Sequence, residues 1–129
     1  MNQEVEKAIR IATQIADEHQ HECFGPPHLV KAALNRDLSL LRYLHDSGLD
    51  VYCIEEWADI LLESYPKRSR RTLEVRTSAE AKIIFIEAED IQLKLNREEV
   101  DLMCLFIAAI TPGVGFSLDQ LKSLPTSGN

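Results

Sequence analysis

Two short, almost wholly apolar runs constrain this 129-residue chain more than any other feature. Residues 24–34 read Phe-Gly-Pro-Pro-His-Leu-Val-Lys-Ala-Ala-Leu, and residues 100–110 read Val-Asp-Leu-Met-Cys-Leu-Phe-Ile-Ala-Ala-Ile. They stand 76 residues apart and match in register. Phe24 falls on Val100, Leu29 on Leu105, Ala32 and Ala33 on Ala108 and Ala109, and Leu34 on Ile110. Pro26 and Pro27 are compatible with a turn that leads into the first turn of a helix. A short helix that is apolar all round belongs inside a protein. The two runs are therefore expected to form the paired centre of one small helical domain.

The flanking sequence repeats with the same offset. Residues 3–20 place Val5, Ala8, Ile9, Ala12, Ile15 and Ala16 at helical spacing. Residues 79–95 do the same with Ala81, Ile84, Phe85, Ala88 and Ile91, so that Ile9 meets Phe85, Ala12 meets Ala88 and Ile15 meets Ile91. In the first half, Leu38, Leu40, Leu41 and Leu44 begin a third helix that Gly48 closes with a left-handed cap. Asp50 caps a fourth helix, with Ile54, Trp57, Ala58, Leu61 and Leu62 facing inward. In the second half Ser78 caps the fifth helix, Asn96-Arg-Glu-Glu99 reads as a capping box for the sixth, and Ser117 starts a last short helix. Nothing between Ile110 and Ser117 matches the third helix.

The expected fold is all-α, a pseudo-twofold double repeat of a four-helix motif with a shortened second repeat and about seven helices. The domain spans residues 1–125, with repeat one at 3–64, a linker at 65–77 and repeat two at 78–124. Leu73 to Thr77 is expected to be extended, and residues 126–129 begin a flexible linker or tail.

Charge and cysteine content narrow the function. A net charge of −7 disfavours nucleic acid as a partner. Three cysteines (Cys23, Cys53, Cys104), each among apolar neighbours, read as reduced, buried thiols of a cytoplasmic protein. The start has no signal-peptide pattern and no apolar run approaches a membrane span. No Gly-x-Ser-x-Gly elbow, no His-Glu-x-x-His motif and no phosphate-binding Gly-x-x-x-x-Gly-Lys loop is present, so neither catalysis nor ATP binding is expected. The acids at Glu55–Glu56 and Glu98–Glu99 are adjacent on helices and point apart. Cys104, among Leu, Phe and Ile, reads as an inert thiol.

Three clusters remain. On the fifth helix Ile83, Ile86 and Leu93 form an apolar stripe beside the inward face, wider than one buried face needs. It either packs against the first helix or the linker, or stands open for an apolar peptide segment. His19, His21, Cys23 and His28 lie within ten residues but lack the paired close spacings of a structural zinc site, so no metal is expected. Lys67, Arg68, Arg70 and Arg71 read as a solvated basic loop offsetting an acidic surface.

The ordered motifs carry a resemblance. An Ala-x-x-x-Ala helix is followed by Gly25-Pro-Pro-His-Leu-Val-Lys-Ala-Ala-Leu34, Leu44-x-x-Ser-Gly-Leu-Asp50 and a second repeat opened by Thr77-Ser78. Together they resemble the double-repeat N-terminal domain of ClpB-like and ClpC-like AAA+ unfoldases and disaggregases over residues 3–124. The resemblance implies a non-catalytic, protein-binding module that recruits unfolded or aggregated polypeptides, or adaptors, to a hexameric ATP-driven chaperone. It implies no cofactor in this domain, with ATP and magnesium in downstream modules, and no membrane or nucleic-acid partner. Two alternatives stay open: the N-terminal domain of a Clp-like ATPase of type VI secretion that binds a dedicated sheath-protein helix, or a stand-alone adaptor. The resemblance also places a binding groove between the repeats, adding Phe85, Ile91 and Cys104 to Ile83, Ile86 and Leu93, and makes His28 a structural histidine.

Overall fold

A computed structural model gives the architecture, and it describes residues 1–69 and 74–125. Seven helices occur among the described residues: α1 (Gln3–Glu18), α2 (Pro26–Ala33), α3 (Ser39–Asp46), α4 (Val51–Leu62), α5 (Ala79–Lys94), α6 (Leu102–Ile110) and α7 (Leu118–Lys122). Two short strands, β1 (Cys23–Phe24) and β2 (Arg76–Thr77), pair in parallel.

The duplication seen in sequence is a duplication of backbone geometry. Shifting α1 by 76 residues gives the bounds of α5, and the same shift carries the start of α2 onto the start of α6. The ends match too. Asn2 caps α1 by accepting the Val5 N–H, and its equivalent Ser78 caps α5 by accepting the Ala81 N–H. After α1, Gln20 takes a left-handed conformation (φ 59°), and after α5 its equivalent Asn96 does the same (φ 55°). Each end is closed by a Schellman pair of bonds, His21 N–H to the Ala16 carbonyl and Arg97 N–H to the Gln92 carbonyl among them. The repeats then exchange one bond each way. Ser78 N–H donates to the Phe24 carbonyl, and Asn2 N–H donates to the Val100 carbonyl, both at 3.0 Å.

This closure corrects the capping expected at residues 96–99. Asn96 is consumed in ending α5, and Val100 is buried with its carbonyl committed to Asn2, so the chain cannot turn helical there. Helix α6 starts after Asp101, whose carboxylate accepts the Cys104 N–H at 3.0 Å.

The central helices are buried as expected. Leu29 and its equivalent Leu105 are each 1% exposed, and α2 packs against α1, α4 and α6. Burial repeats along the outer helices: Ala12 and Ala88 are buried, while Ile9, Ile15, Phe85 and Ile91 are half-buried against the core. Gly48 (φ 87°) closes α3, and Asp50 caps α4. Polar ties hold α3 and α4 to this centre, from Ser39 to the Glu4 carboxylate and from Lys31 to Asp59 at 2.6 Å.

The second repeat is the shorter one, but the missing helix is the fourth and not the third. With the 76-residue shift, α7 falls on residues 42–46 of α3, and α4 has no counterpart among the described residues. Helix α4 itself covers this end. The Trp57 ring lies 4.7 Å from that of Phe116, and its Nε1–H donates to Ser123 Oγ (2.9 Å) and the Gln120 carbonyl (3.2 Å). Replacing Trp57 by alanine is expected to cost about 3–5 kcal/mol. Hydrogen exchange should also report loss of amide protection over residues 118–124, whereas protection unchanged there would contradict this latch.

The linker is less detached than its composition suggests. Pro66 and Arg68 bond to the backbone of Glu22 and Gln20, Lys67 bridges to His21, and Arg76 N–H donates to the Glu22 carbonyl. Arg68 is not solvated: its side chain is 3% exposed and pairs with the Asp17 carboxylate at 2.8 Å. Lys67 donates to the His19 carbonyl. Arg70, Arg71 and Leu73, and the tail expected at 126–129, lie outside the described residues. Of the three free thiols only Cys104 is buried; Cys23, in β1, and Cys53, in the first turn of α4, are half-buried.

Candidate functional site

Helix α5 carries apolar side chains around most of its circumference, so packing can satisfy only part of them. Ala81, Ile84 and Ala88 take the core side. On the opposite side Ile83, Ile86 and Leu93 are 47%, 69% and 68% exposed, with Leu95 open just beyond the helix end. Among the described residues, the stripe therefore packs against neither α1 nor the linker. Charged groups border it: Lys82 and Glu89 on one side, Glu87 and Lys94 on the other, and Asp90 within it, paired to Lys94 at 2.9 Å.

The internal duplication supplies a control for this surface. In α1 the positions equivalent to Ile83, Ile86, Asp90 and Leu93 are Lys7, Arg10, Gln14 and Asp17, all exposed and polar. Two helices of the same length, each with a side-chain N-cap and with three equivalent buried positions, thus differ on their solvent faces, one polar and one apolar. Folding needs no apolar residue there, since repeat one does without.

Phe85 and Ile91 are half-buried against the core and border the stripe only in part. Cys104 is corrected: it is 0% exposed and offers no surface to a groove, because its position at the start of α6 faces the core. Burial pushes its thiol pKa up.

The histidines form a structural cluster. Gly25 N–H donates to His28 Nδ1 at 3.0 Å, which fixes the His28 proton on Nε2. That proton is donated to His21 Nδ1 at 2.8 Å. Tyr65 meets the His28 ring edge-on with centroids 4.8 Å apart, and the His21 and His19 rings stack at 5.4 Å. Burial, then the neighbouring His21 and His19, lower the His28 pKa to about 4, and burial likewise lowers that of His21. Both His28 nitrogens are occupied by these bonds, and no group of three or more metal-ligating side chains occurs among the described residues.

A second surface is not legible in the sequence. An open trough of about 1600 Å³ lies between α3, α1 and α4, lined by Ile11, Ile15, Tyr43, Tyr52 and Met103 among others. Tyr43 and Tyr52 are exposed but stand on different helices, and only the fold brings them to one rim.

The family model described as the Clp repeat (R) N-terminal domain matches residues 1–123. Similar solved structures include the N-terminal domain of Hsp104 from Candida albicans, at 18% identity and TM-score 0.74 over 96% of this chain and 87% of that one. The N-terminal domain of the ClpV1 ATPase from the E. coli EAEC Sci1 type VI secretion system superposes at 16% identity and TM-score 0.78, covering 96% of this chain and 76% of that one. A ClpV N-domain in complex with a VipB peptide follows at 22% identity and TM-score 0.73, with the same coverages. At these identities the likeness is one of fold. No curated protein sequence is significantly similar.

Proposed function

The chain belongs to the Clp repeat (R) N-terminal domain family, and on that premise we propose that it recruits polypeptide clients to an ATP-driven Clp unfoldase. The domain is a non-catalytic protein-binding module, and the α5 face, with Ile83, Ile86 and Leu93 at its centre and Phe85 and Ile91 at its edge, is the client-binding surface. One observation carries this reading: the face is apolar in repeat two where the equivalent face of repeat one is charged. Exposed aliphatic side chains that folding does not require are what an apolar segment of an unfolded chain, or an adaptor, would cover. ATP, magnesium and hexamer assembly belong, on this reading, to modules outside this domain, in a cytoplasmic machine. No helix among the described residues is long and apolar enough to cross a membrane.

A second reading is favoured by a specific likeness, the ClpV N-domain that is complexed with a VipB peptide. In that reading the client is one dedicated helix of a secretion sheath and not unfolded chains in general.

An NMR titration of the labelled domain with a permanently unfolded model protein tests the proposal. Shifts are expected at Ile83, Ile86 and Leu93, and the Ile83→Asp/Ile86→Asp double variant should bind at least about 10-fold more weakly. Both isoleucines are exposed, so the variant should keep its fold. Unchanged binding by that folded variant would remove α5 from the site. Absence of any binding by the wild type would favour the dedicated-helix reading.

A further inference from the structure

The exposed face of α5 carries charge that the helix itself does not use. Ile83, Ile86 and Leu93 form an apolar stripe about 15 Å long, with Glu87 and Glu89 on its two edges near the middle and Asp90 between them. Opposite charges three or four residues apart support a helix, and like charges at that spacing oppose it. Neither glutamate has a lysine or arginine three or four residues away, and Glu87 stands three before Asp90. Among the described residues neither forms an ion pair, whereas Asp90 pairs with Lys94 at 2.9 Å. At the positions equivalent to Glu87, Glu89 and Asp90, α1 carries Ile11, Thr13 and Gln14, so a helix in this setting folds without carboxylates there.

From this arrangement we infer that the α5 face takes an amphipathic helical segment whose apolar residues are flanked by lysine or arginine. The inference rests on the reading of this face as the client-binding surface, and it names the class of client. A straight stripe of side chains at three- and four-residue spacing matches the apolar anchors of a second helix. Ile83, Ile86 and Leu93 receive those anchors, and cations beside them reach Glu87 on one edge and Glu89 on the other. Lys82 and Lys94 lie towards the two ends of the stripe, so the preference for positive charge is local to its middle. A second copy of α5 is a poor occupant, because it brings the same carboxylates to the middle of the pair. An acidic segment or an anionic lipid surface meets the same repulsion.

Lysine and arginine suit both parts of this surface, since their stems cover apolar area while their heads reach the carboxylates. Charges at the edge of an interface speed encounter and exclude wrong partners more than they add affinity. The isoleucines and Leu93 thus supply the contact common to all clients, and Glu87 and Glu89 choose among them.

Two peptides of about 15 residues test this, with identical leucines at helical spacing and either lysine or glutamate at every flanking position. Binding to the labelled domain is followed by NMR at low ionic strength. The lysine peptide should shift Ile83, Ile86 and Leu93 and bind at least about 10-fold more tightly than the glutamate peptide, by a margin that shrinks as salt rises. Glu87→Gln/Glu89→Gln should cut that margin to about 3-fold or less. Glu56→Gln/Glu63→Gln makes the same change in net charge on α4 and just after it, and should leave the margin as it is. Equal binding of the two peptides at α5, or a margin indifferent to Glu87→Gln/Glu89→Gln, would overturn the inference and leave the proposed function intact. Shifts at Ile83, Ile86 and Leu93 on concentrating the domain alone would assign the face to a second copy and overturn it as well. Binding of neither peptide at α5 would also end the inference. The unfolded-protein titration on the same sample then decides whether the client reading falls with it.

Discussion

Lowering the pH from 7 to 4 is expected to cost the folded domain about 2–3 kcal/mol through its buried histidine pair. His28 is 0% exposed, and its pKa is held to about 4 against an ordinary value of 6.5. Burial is the main cause, followed by His21 and His19, and His21 is itself lowered by burial, His19 and Lys67. The unfolded chain therefore takes up the proton first. The stabilisation is complete above pH 6.5 and declines as the pH falls towards 4, where the folded state begins to accept the proton as well. The hydrogen bonds give the structural cause: a protonated His28 Nδ1 can no longer accept the Gly25 N–H at the start of α2. Urea unfolding of wild type and His28→Gln at pH 7 and at pH 4.5 measures the effect. The variant should be less stable at pH 7 and lose less on acidification. An identical pH slope in the two proteins would show that the loss comes from other groups.

Gly25→Ala is expected to destabilise the domain by about 3 kcal/mol, near the upper end of overpacking effects. A Cβ at this position would overlap the Tyr65 hydroxyl and lie 2.6 Å from the ring carbon Cζ. The backbone there is extended (φ −128°, ψ −166°), so contact and not conformational strain is the cause. Tyr65 cannot move without leaving the edge of His28, and burial already holds its phenol pKa well above the ordinary value. The equivalent residue in repeat two is Asp101, which has a side chain and uses it to cap α6. The difference is that the chain after α4 folds Tyr65 over the start of α2. A double-mutant cycle isolates this contact: in a Tyr65→Ala background, Gly25→Ala should cost under about 1 kcal/mol. A penalty that persists there would assign it to the backbone instead.

The two predictions concern one locus, where α1 ends, α2 begins and the linker returns. It holds the repeat that carries the α5 face in register with the other, since β2 and Ser78 attach here to β1 immediately before α5. Loosening this corner is thus expected to disturb α5 through its N-cap, although the histidines are not part of the α5 face.

Much of this architecture is written locally. The 76-residue register, the caps at Ser78 and Ser117, the left-handed closure at Gly48 and the buried central helices all depend on residue type and spacing, which are visible in a linear chain. The exposed isoleucines of α5 were legible too, as an excess of apolar residues over one helical face, but not their exposure. The tertiary structure alone decided that Ile83, Ile86 and Leu93 stay exposed among the described residues, that Cys104 is sealed in the core, and that Arg68 is buried against Asp17. It also moved the start of α6 from the favourable motif at Asn96 to Asp101, because the Schellman closure of α5 and the bond from Asn2 to Val100 claimed the intervening backbone. Local preferences of this kind differ by about a kilocalorie per mole. A long-range bond or a buried side chain can reverse them, and such partners have no signature in the spacing of neighbouring residues.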